Sequence, residues 1–367
     1  MSTRVVMLVD LDYFFAQCEE LRNPSLKEKP VVVCVYSGRS EDSGAVSTAN
    51  YVARKYGVKS GMPIFLAKKK LENVDAAFLA VDDQFYDEVS GKVMNILRNF
   101  ADEFEQVGID EAYLDVTKRT HANFESAEVL AKMIKIELLN QQKLTCSIGV
   151  GPNKLVAKIA ADENKPDGLT LISPNRVSSF LDPLPVNRLI GVGTKTLEKM
   201  QNMRIYKISD LARYDVQKLM AVFGRTLGTY FHNASLGLDN EPVREKGEAE
   251  SISRIATLKQ NTRDLNIILE KTDELCNDLH GRILEEKSTF KTVAIIAVTT
   301  DINTHARSKT FENPSNSIEL MKKTVKELFE KFLTESDLEI RRVGVKLSNF
   351  SGLGKNQAQI TSFFESG

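Results

Sequence analysis

Two adjacent carboxylates, Asp110 and Glu111, follow a glycine and precede an alternating run of alanine, tyrosine, leucine and valine. The pattern predicts a β-hairpin with strands near Glu103–Val107 and Ala112–Thr117 and a turn at Gly108. Side-chain alternation along a strand would separate the two carboxylates, but a turn relaxes it, so their oxygens could reach one point. Carboxylates that close repel each other unless a cation lies between them, and Mg²⁺ is the obvious candidate. For these two residues alone, a solvated acidic turn is the simpler interpretation.

A third carboxylate appears near the start of the chain. The apolar run Arg4–Val9 predicts a buried central strand that ends at Asp10 and Asp12, before a helical stretch at Tyr13–Leu21. A carboxylate at the end of a buried strand lies at the rim of a sheet, where ligands and metals are commonly held. The sequence does not rank Asp10 against Asp12, and either could instead cap the following helix.

A Ser/Thr/Tyr/Arg cluster between Ala45 and Gly57 stands at the start of a helical stretch. It could bind phosphate oxygens, although a solvated helix face is the simpler alternative.

Strand, helix, hairpin, helix and strand together predict a ferredoxin-like α/β sheet that carries all three carboxylates. The helices predicted around the hairpin are Gln84–Phe100, Phe124–Asn140 and Pro152–Asp162. A strand is predicted at Thr145–Val150.

Composition sets the broad class of the protein. The chain has 367 residues, which predicts several modules, and it is 42% hydrophobic and 27% charged, typical of a soluble protein. No signal peptide or membrane span is expected. Four scattered cysteines without metal-ligand spacing suggest reduced thiols and a cytoplasmic protein. The net charge of −1 does not indicate a nucleic-acid partner, so any DNA-binding surface depends on which face of the protein the cations occupy.

The last third of the chain, beyond a polar tether at Ser235–Lys246, predicts a β-α-β-β-α-β module. In its last strand, Ile340–Phe350, cationic and small residues alternate with apolar ones. We predict a sheet with one apolar and one cationic face, suited to phosphate contacts, and a plain solvated face is equally compatible with the charges. The cations on its strands are Arg254, Arg307, Lys309, Arg342 and Lys346.

Four motifs in order resemble those of the Y-family, or translesion, DNA polymerases, specifically the DinB-like branch. They are Asp10–Ala16, Ala49–Arg54, Ile109–Asp115 and Asn153–Ala160. The similarity covers essentially the whole chain. It implies template-directed addition of dNTPs to a primer 3′ end by two-metal nucleotidyl transfer, in bypass and repair of DNA damage. The sequence has no additional acidic cluster for a proofreading exonuclease, so low fidelity is expected.

The resemblance implies roles for the three carboxylates. Asp10 and Asp110 would bridge two Mg²⁺ ions, Glu111 would complete the site, and the Leu11 carbonyl would add an oxygen. Asp12 and Asp115 match the family sequence but are not assigned as ligands. The residues implied to hold the triphosphate, the first two through their amides, are Phe14, Phe15, Thr48, Tyr51, Arg54 and Lys165.

Phe15 also takes the family's steric-gate position. An aromatic ring under the sugar leaves no room for a 2′ hydroxyl, so ribonucleotides would be rejected by a clash. Some relatives have tyrosine here, and either ring should exclude ribose. Without the family match, a core aromatic after a strand would be the better interpretation of Phe15.

The implied fold is an α/β, right-hand-like polymerase with a ferredoxin-like palm, small fingers, a helix-hairpin-helix thumb and a little finger that grips the primer-template duplex. The thumb hairpin would be Leu189–Thr196, where Gly191, Gly193 and Lys195 face a phosphate, and Val222–Arg225 partly repeats it. The expected domains are the palm, 1–10 and 78–166; fingers, 11–77; thumb, 167–234; linker, 235–246; little finger, 247–351; and tail, 352–367.

The tail carries a short apolar motif. Gln357, Ile360, Phe363 and Phe364 fall on one face of a helical turn, and two phenylalanines are costly to leave in water. The motif resembles the box by which proteins attach to the ring-shaped sliding clamp of archaeal and eukaryotic replication, so we predict clamp binding.

Two alternatives from other functional classes stay open at this point. One is another two-metal enzyme on a ferredoxin-like palm, such as a nucleotide cyclase. The other is a catalytically idle DNA- or clamp-binding protein. The expected partners are primer-template DNA, a dNTP and a sliding clamp, with no membrane, and the protein is expected to be a monomer.

Overall fold

The computed structural model describes residues 4–245, 247 and 249–352. Contacts divide these residues into two compact units. The first holds 4–33, 47–60 and 70–245, and the second holds 34–46, 61–69, 247 and 249–352. All the residues predicted to bind metal or triphosphate belong to the first unit. Among the described helices, none combines the length and the apolar character that a membrane crossing requires.

The regular elements follow the predicted order closely. The strands of the described chain are β1 (Val6–Leu11), β2 (Val31–Tyr36), β3 (Gly44–Ala49), β4 (Ala77–Ala80), β5 (Glu103–Gln106), β6 (Glu111–Asp115), β7 (Cys146–Gly151), β8 (Leu169–Leu171), β9 (Ser251–Thr262), β10 (Ser288–Thr299), β11 (Thr304–Ser315) and β12 (Ile340–Gly352). The α-helices are α1 (Phe14–Arg22), α2 (Tyr51–Lys55), α3 (Ile64–Lys70), α4 (Asp83–Arg98), α5 (Phe124–Gln142), α6 (Lys154–Ala161), α7 (Val177–Leu181), α8 (Thr194–Asn202), α9 (Ile208–Ala212), α10 (Val216–Ser235), α11 (Leu265–Glu285) and α12 (Ile318–Glu335).

The five-stranded sheet of the first unit has the order β5-β6-β1-β7-β8, with β1 antiparallel to both β6 and β7. Its central strand is apolar from Val6 to Val9 because both faces are covered there. Met7 and Val9 pack in the core with α4 and α5, whereas Val6 and Leu8 pack against α6. Asp10 therefore continues the α6 face of β1. The predicted mixed α/β fold is confirmed.

The helical segment that follows contains two turns of the predicted kind. Gly191 has φ +85° just before α8, and Gly224 has φ +80° and interrupts the helical geometry of α10. Both values lie in the left-handed region that glycine tolerates without a steric penalty. The helix-hairpin-helix prediction and its partial repeat are thus confirmed at the level of the backbone.

The second unit contains an antiparallel sheet of order β11-β10-β12-β9, and α11 and α12 pack against it. This arrangement confirms the predicted β-α-β-β-α-β module. A further three-stranded sheet has the order β3-β2-β4.

The predicted single cationic face of the antiparallel sheet is wrong. Arg342 and Lys346 lie on the open face, opposite half-buried residues of β10. Arg254, Arg307 and Lys309 point to the helix-covered side, because cross-strand partners share a face and theirs are the core residues Val345, Ile295 and Val293. Helix acids bind these three cations in the pairs Arg254–Asp278, Arg307–Glu335 (2.9 Å) and Lys309–Glu327 (2.8 Å).

The polar segment predicted as a tether is fixed to the first unit along residues 237–245. The side chain of Arg4 donates to the backbone carbonyls of Asp239 and Glu241, and the Asn153 amide donates to that of Gly237. These hydrogen bonds replace regular secondary structure as partners for the backbone there.

Candidate active site

Strand pairing brings together two of the predicted metal ligands. Asp10 of β1 lies directly opposite Glu111 of β6, and both side chains are half-buried. Directly opposite residues of an antiparallel pair share a face, so both carboxylates point to the α6 side. Asp110 is the last residue of the preceding turn, and its carbonyl accepts a 2.9 Å hydrogen bond from the N–H of Leu11. Pairing of β1 with the hairpin thus brings the three residues to the same end of the sheet.

Electrostatics confirms that the carboxylates influence one another. Burial raises the pKa of Asp10 to about 6, with Asp110 and Glu111 adding to the rise and Lys165 opposing it. Burial, followed by the charge of Glu111, also raises the pKa of Asp110. Two carboxylates held this close each make ionisation of the other less favourable. The site therefore favours a cation.

Lysines provide the positive charge in this structure. Lys165 Nζ lies 2.7 Å from Asp10 Oδ2 and 2.9 Å from Asp162, and Lys158 Nζ of α6 lies 2.5 Å from Glu111 Oε2. Although burial alone lowers it, these carboxylates raise the pKa of Lys165. In the described chain, no three His, Cys, Asp or Glu side chains are grouped as metal ligands would be.

The structure distinguishes Asp12 from Asp10, as the sequence could not. Asp12 is 1% exposed, and protein donors are hydrogen-bonded to both oxygens of its side chain. Asp115 accepts a hydrogen bond from the N–H of Thr117 and closes a turn at the end of β6. Both carboxylates are already occupied by protein donors.

The predicted phosphate cluster is built around the start of α2. Asn50 caps this helix by accepting from the N–H of Ala53, and Tyr51 is its first residue. The Arg54 guanidinium lies 4.7 Å from the ring centre of Tyr51. Thr48 precedes them near the end of β3. This arrangement leaves hydroxyl and guanidinium donors grouped at a helix N-terminus.

The cluster lies within electrostatic reach of the carboxylates. Burial, followed by the charge of Asp12, raises the pKa of Tyr51, and Asp10 adds to the rise, whereas Arg54 and Lys165 lower it. Cations from α2 and from the loop after α6 thus approach the same region as the acids.

The two phenylalanines occupy different environments. Phe14 is buried in the core, whereas Phe15 is half-buried and stacks on Tyr86 with ring centres 4.3 Å apart. Helix α1 begins at Phe14 without a side-chain cap, after Tyr13 in a left-handed conformation. The first N–H groups of a helix have no partner within the helix, so they can donate hydrogen bonds to an anion there.

Sequence reasoning assigned no role to the two lysines of α6 that face the sheet. Lys158 contacts Glu111, and Lys154, four residues earlier, contacts Glu105. A spacing of four residues puts both lysines on one side of a helix. Glu105 on β5 and Glu111 on β6 stand beside apolar residues, and this pattern could have indicated the carboxylates with which the two lysines pair.

The remaining predicted residues are placed as follows. Gly193 directly precedes α8 and Lys195 is its second residue, beside the Gly191 turn. Helix α8 has no side-chain cap at its N-terminus. The predicted clamp-binding residues lie outside the described residues; they are Gln357, Ile360, Phe363 and Phe364.

Three family models match the chain. The impB/mucB/samB family matches residues 9–162, its C-terminal domain matches 249–362, and a model described as "DNA polymerase-iota, thumb domain" matches 187–239. The matched segments contain the carboxylate hairpin, the antiparallel sheet and the Gly191 and Gly224 turns.

Relatives match over the full length. The chain is 48% identical to DNA polymerase IV of Nitrosopumilus maritimus, covering 99% of this chain and 100% of the relative, and 39% identical to DNA polymerase IV of Saccharolobus solfataricus, covering 94% and 96%. Among solved structures, a Y-family DNA polymerase chimera, Dbh-Dpo4(243-245)-Dbh, has 38% identity and a TM-score of 0.89 over 95% of this chain and 99% of that one. An insertion ternary complex of Dbh DNA polymerase has 37% identity and a TM-score of 0.69 over the same shares.

These matches do not support the cyclase or the catalytically idle protein. Family membership also implies dependence on a divalent metal. The chain belongs to the Y-family of DNA polymerases, in its DinB-like branch, and is a DNA-directed DNA polymerase.

Proposed function

We propose that this chain extends a primer 3′ end with dNTPs on damaged as well as intact templates, using two Mg²⁺ ions held by the carboxylates of Asp10, Asp110 and Glu111. The observation that carries the proposal is the direct pairing of Asp10 with Glu111, with Asp110 in the adjoining turn. Relatives named DNA polymerase IV and solved Dbh complexes support the substrate classes, primer-template DNA and dNTP.

The donor set suits Mg²⁺. It consists of hard oxygen ligands, the carboxylates of Asp10, Asp110 and Glu111 and the carbonyl of Leu11. The raised pKa values of Asp10 and Asp110 reflect burial and mutual repulsion, which a divalent cation would relieve. When bound, two Mg²⁺ ions supply charge neutralisation for the attacking 3′ oxygen and the leaving pyrophosphate.

The nucleotide would be held opposite these carboxylates. Lys165, Arg54, Tyr51 and Thr48 would bind the triphosphate, joined by the free amides at the start of α1. Phe15 would lie under the sugar, and its stacking on Tyr86 limits its freedom to move away from a 2′ hydroxyl. A rigid aromatic is an effective steric gate because rejection then depends on a clash that the protein cannot relax.

The duplex would be held without base readout. The Gly191–Gly193 turn and Lys195 would contact backbone phosphates, as would Arg342 and Lys346 on the open face of the second sheet. Such contacts give affinity and orientation but no sequence preference. We do not extend this proposal to Arg254, Arg307 and Lys309, which helix acids already neutralise.

We propose low fidelity, without proofreading, and a role in DNA damage bypass and repair. Family membership supports this, as does the lack of any acidic cluster in the sequence that would serve an exonuclease.

The tail residues Gln357, Ile360, Phe363 and Phe364 would bind a sliding clamp. Alanine at both phenylalanines should abolish retention on an immobilised clamp and leave extension without the clamp unchanged.

Primer extension on a short primed template with Mg²⁺ tests the central proposal. The native chain should extend with dNTPs, Glu111→Ala should not, and Phe15→Ala should begin to incorporate ribonucleotides. Tyr86→Phe keeps the stacked ring, so it is the matched control for Phe15→Ala and should still reject ribonucleotides. A correctly folded native chain that adds no nucleotide would contradict the proposal.

A further inference from the structure

Asp12 is a buried carboxylate that is not assigned to metal, nucleotide or DNA binding in the proposed polymerase site. It lies just beyond β1, two residues after Asp10, and its side chain is 1% exposed. Its oxygens accept three hydrogen bonds, from Thr145 Oγ1 at 2.9 Å, from Ser147 Oγ at 2.7 Å and from the backbone N–H of Asp167 at 2.9 Å. A buried carboxylate is tolerated when donors satisfy it in this way.

The third donor belongs to the loop that carries Lys165. Asp167 has φ +56°, a left-handed conformation that few residues with a side chain adopt, although aspartate does so more readily than most. Two further contacts hold the same loop. The N–H of Gly168 donates to Ser147 Oγ at 3.2 Å, and Lys135 Nζ binds Asp167 Oδ1 at 2.6 Å.

Asp12 therefore joins the end of β1 to this loop through one side chain. The strand end positions Asp10, and the loop positions Lys165, whose Nζ lies 2.7 Å from Asp10 Oδ2. Lys165 is two residues from Asp167, so a shift of the Asp167 backbone moves the ammonium group relative to the carboxylates. A lysine has a long flexible side chain, so the position of its ammonium group depends on where its backbone is held.

We propose that Asp12 is a positioning residue that holds the Lys165 loop against the catalytic strand, so that Lys165 is presented to the triphosphate of the incoming nucleotide. This inference rests on the proposed function and deepens it. Both Asp12 oxygens are used for protein donors, which excludes it from the carboxylates proposed to hold metal. Its effect is on nucleotide binding, through Lys165.

The chemistry of the donors defines the test. Asp12→Asn keeps the shape of the side chain but replaces one acceptor oxygen by an NH₂ group. The remaining oxygen can still accept from Thr145 and from the N–H of Asp167 while the NH₂ group donates to Ser147 Oγ, so the variant removes the charge assistance of the Asp167 hydrogen bond and keeps its geometry. Asp115→Asn is the matched control, because Asp115 is also an unassigned carboxylate at the end of a strand of the same sheet.

Single-turnover incorporation on a primed template measures the dNTP Kd, the maximum rate and the primer-template affinity separately. For Asp12→Asn we expect the dNTP Kd to rise about fivefold, the size of effect expected when one hydrogen bond loses its charge assistance. The maximum rate, the Mg²⁺ dependence and the primer-template affinity should stay within about twofold of native. Asp115→Asn should leave the dNTP Kd unchanged.

Ser147→Ala removes the bridge from Asp12 to Gly168 and provides a second variant if Asp12→Asn folds poorly. It should raise the dNTP Kd in the same direction, and the double variant should show less than the product of the two effects, since both act on one loop. A lower maximum rate with weaker Mg²⁺ dependence and unchanged dNTP Kd would overturn the proposal and connect Asp12 to the metal site. Equal losses in every parameter would overturn it in favour of a purely structural role.

Hydrogen exchange separates this inference from the polymerase proposal. The Asp167 amide should exchange faster in Asp12→Asn than in the native chain, while amides in the middle of β1 keep their protection. Unchanged exchange at Asp167 would overturn the proposed link between Asp12 and the loop. If the native chain incorporates no nucleotide, the proposed function fails on its own, and the exchange result still decides whether Asp12 holds the loop.

Discussion

Two lysines of α6 face two glutamates of the same sheet, and the two pairs differ in how completely they are enclosed. Lys154 Nζ lies 3.0 and 2.9 Å from the two oxygens of Glu105 and 3.1 Å from Glu241. Lys158 Nζ lies 2.5 Å from one oxygen of Glu111. The side-chain exposures are 11% and 7% for the first pair and 29% and 21% for the second.

The difference shows how one type of contact can serve two purposes. A buried pair that satisfies both carboxylate oxygens is held permanently, since breaking it would leave an unpaired charge in a low dielectric. A half-exposed pair that uses one oxygen can exchange its partner at little cost. Removing one partner of Lys154–Glu105–Glu241 should therefore destabilise the fold, whereas Lys158–Glu111 leaves Glu111 available for a cation.

The largest expected effect is on catalysis. Glu111→Gln removes a charge from the proposed metal site and should reduce the rate of nucleotide incorporation on the order of 10³-fold, because metal-based charge stabilisation amounts to several kcal/mol. The free energy of unfolding should change little. Steady-state primer extension and urea unfolding measure the two quantities. Full activity in Glu111→Gln would remove this carboxylate from the reaction.

The corresponding change in the buried pair should have the reverse profile. Glu105→Gln leaves Lys154 without its closest counter-charge and should lower the free energy of unfolding by about 3 kcal/mol. The incorporation rate per folded molecule should stay near native. Combining it with Lys154→Met should recover part of the stability, since both charges are then gone, and no recovery in urea unfolding would show that the pair does not act as a unit.

Acidity should weaken the catalytic cluster through proton competition. Burial raises the pKa of Asp10 to about 6, so the carboxylate is ionised and free for a cation above pH 6 and protonated below it. The apparent Mg²⁺ affinity in single-turnover extension should therefore fall as pH drops through 6, by up to about tenfold per pH unit for one competing proton. An affinity that is constant from pH 7.5 to pH 5 would contradict this expectation.

The smallest expected effect concerns the exchangeable lysine. Lys158→Met removes a competitor for Glu111, so the apparent Mg²⁺ affinity should rise by up to about fivefold, as expected for a partly exposed ion pair. Lys154→Met is the matched control and should leave that affinity unchanged. Mg²⁺ titrations of extension by both variants provide the comparison, and a lower affinity in Lys158→Met would mean that this lysine supports the site rather than competing for it.

Local sequence patterns were sufficient for much of this molecule. The apolar run of β1, the hairpin around Gly108 and the β-α-β-β-α-β order follow from periodicity and turn residues, which act over a few positions. The positive φ angles at Gly191 and Gly224 likewise occur where small residues interrupt helical stretches. The family motifs then indicated which of these elements carry chemistry.

The cationic sheet shows where a pattern over one strand is insufficient. The alternation within β12 correctly placed Arg342 and Lys346 on one face. Which face of β9 and β11 matches it depends on register across strands, and a shift of one residue reverses every side chain. The register directs Arg254 and Arg307 to the helices, where acids from α11 and α12 bind them.

The sequence alone determined the element order, the three carboxylates and the residues that resemble a triphosphate site, because each depends on residue type and near spacing. Residue pattern does not rank Asp10 against Asp12, which are two residues apart; the family resemblance favoured Asp10, and only the tertiary structure gave the physical reason. Donors 133 to 155 residues away bind Asp12, whereas Asp10 faces Glu111 and Lys165. Burial and long-range hydrogen bonding are properties of the folded chain, so they gave these two aspartates different surroundings.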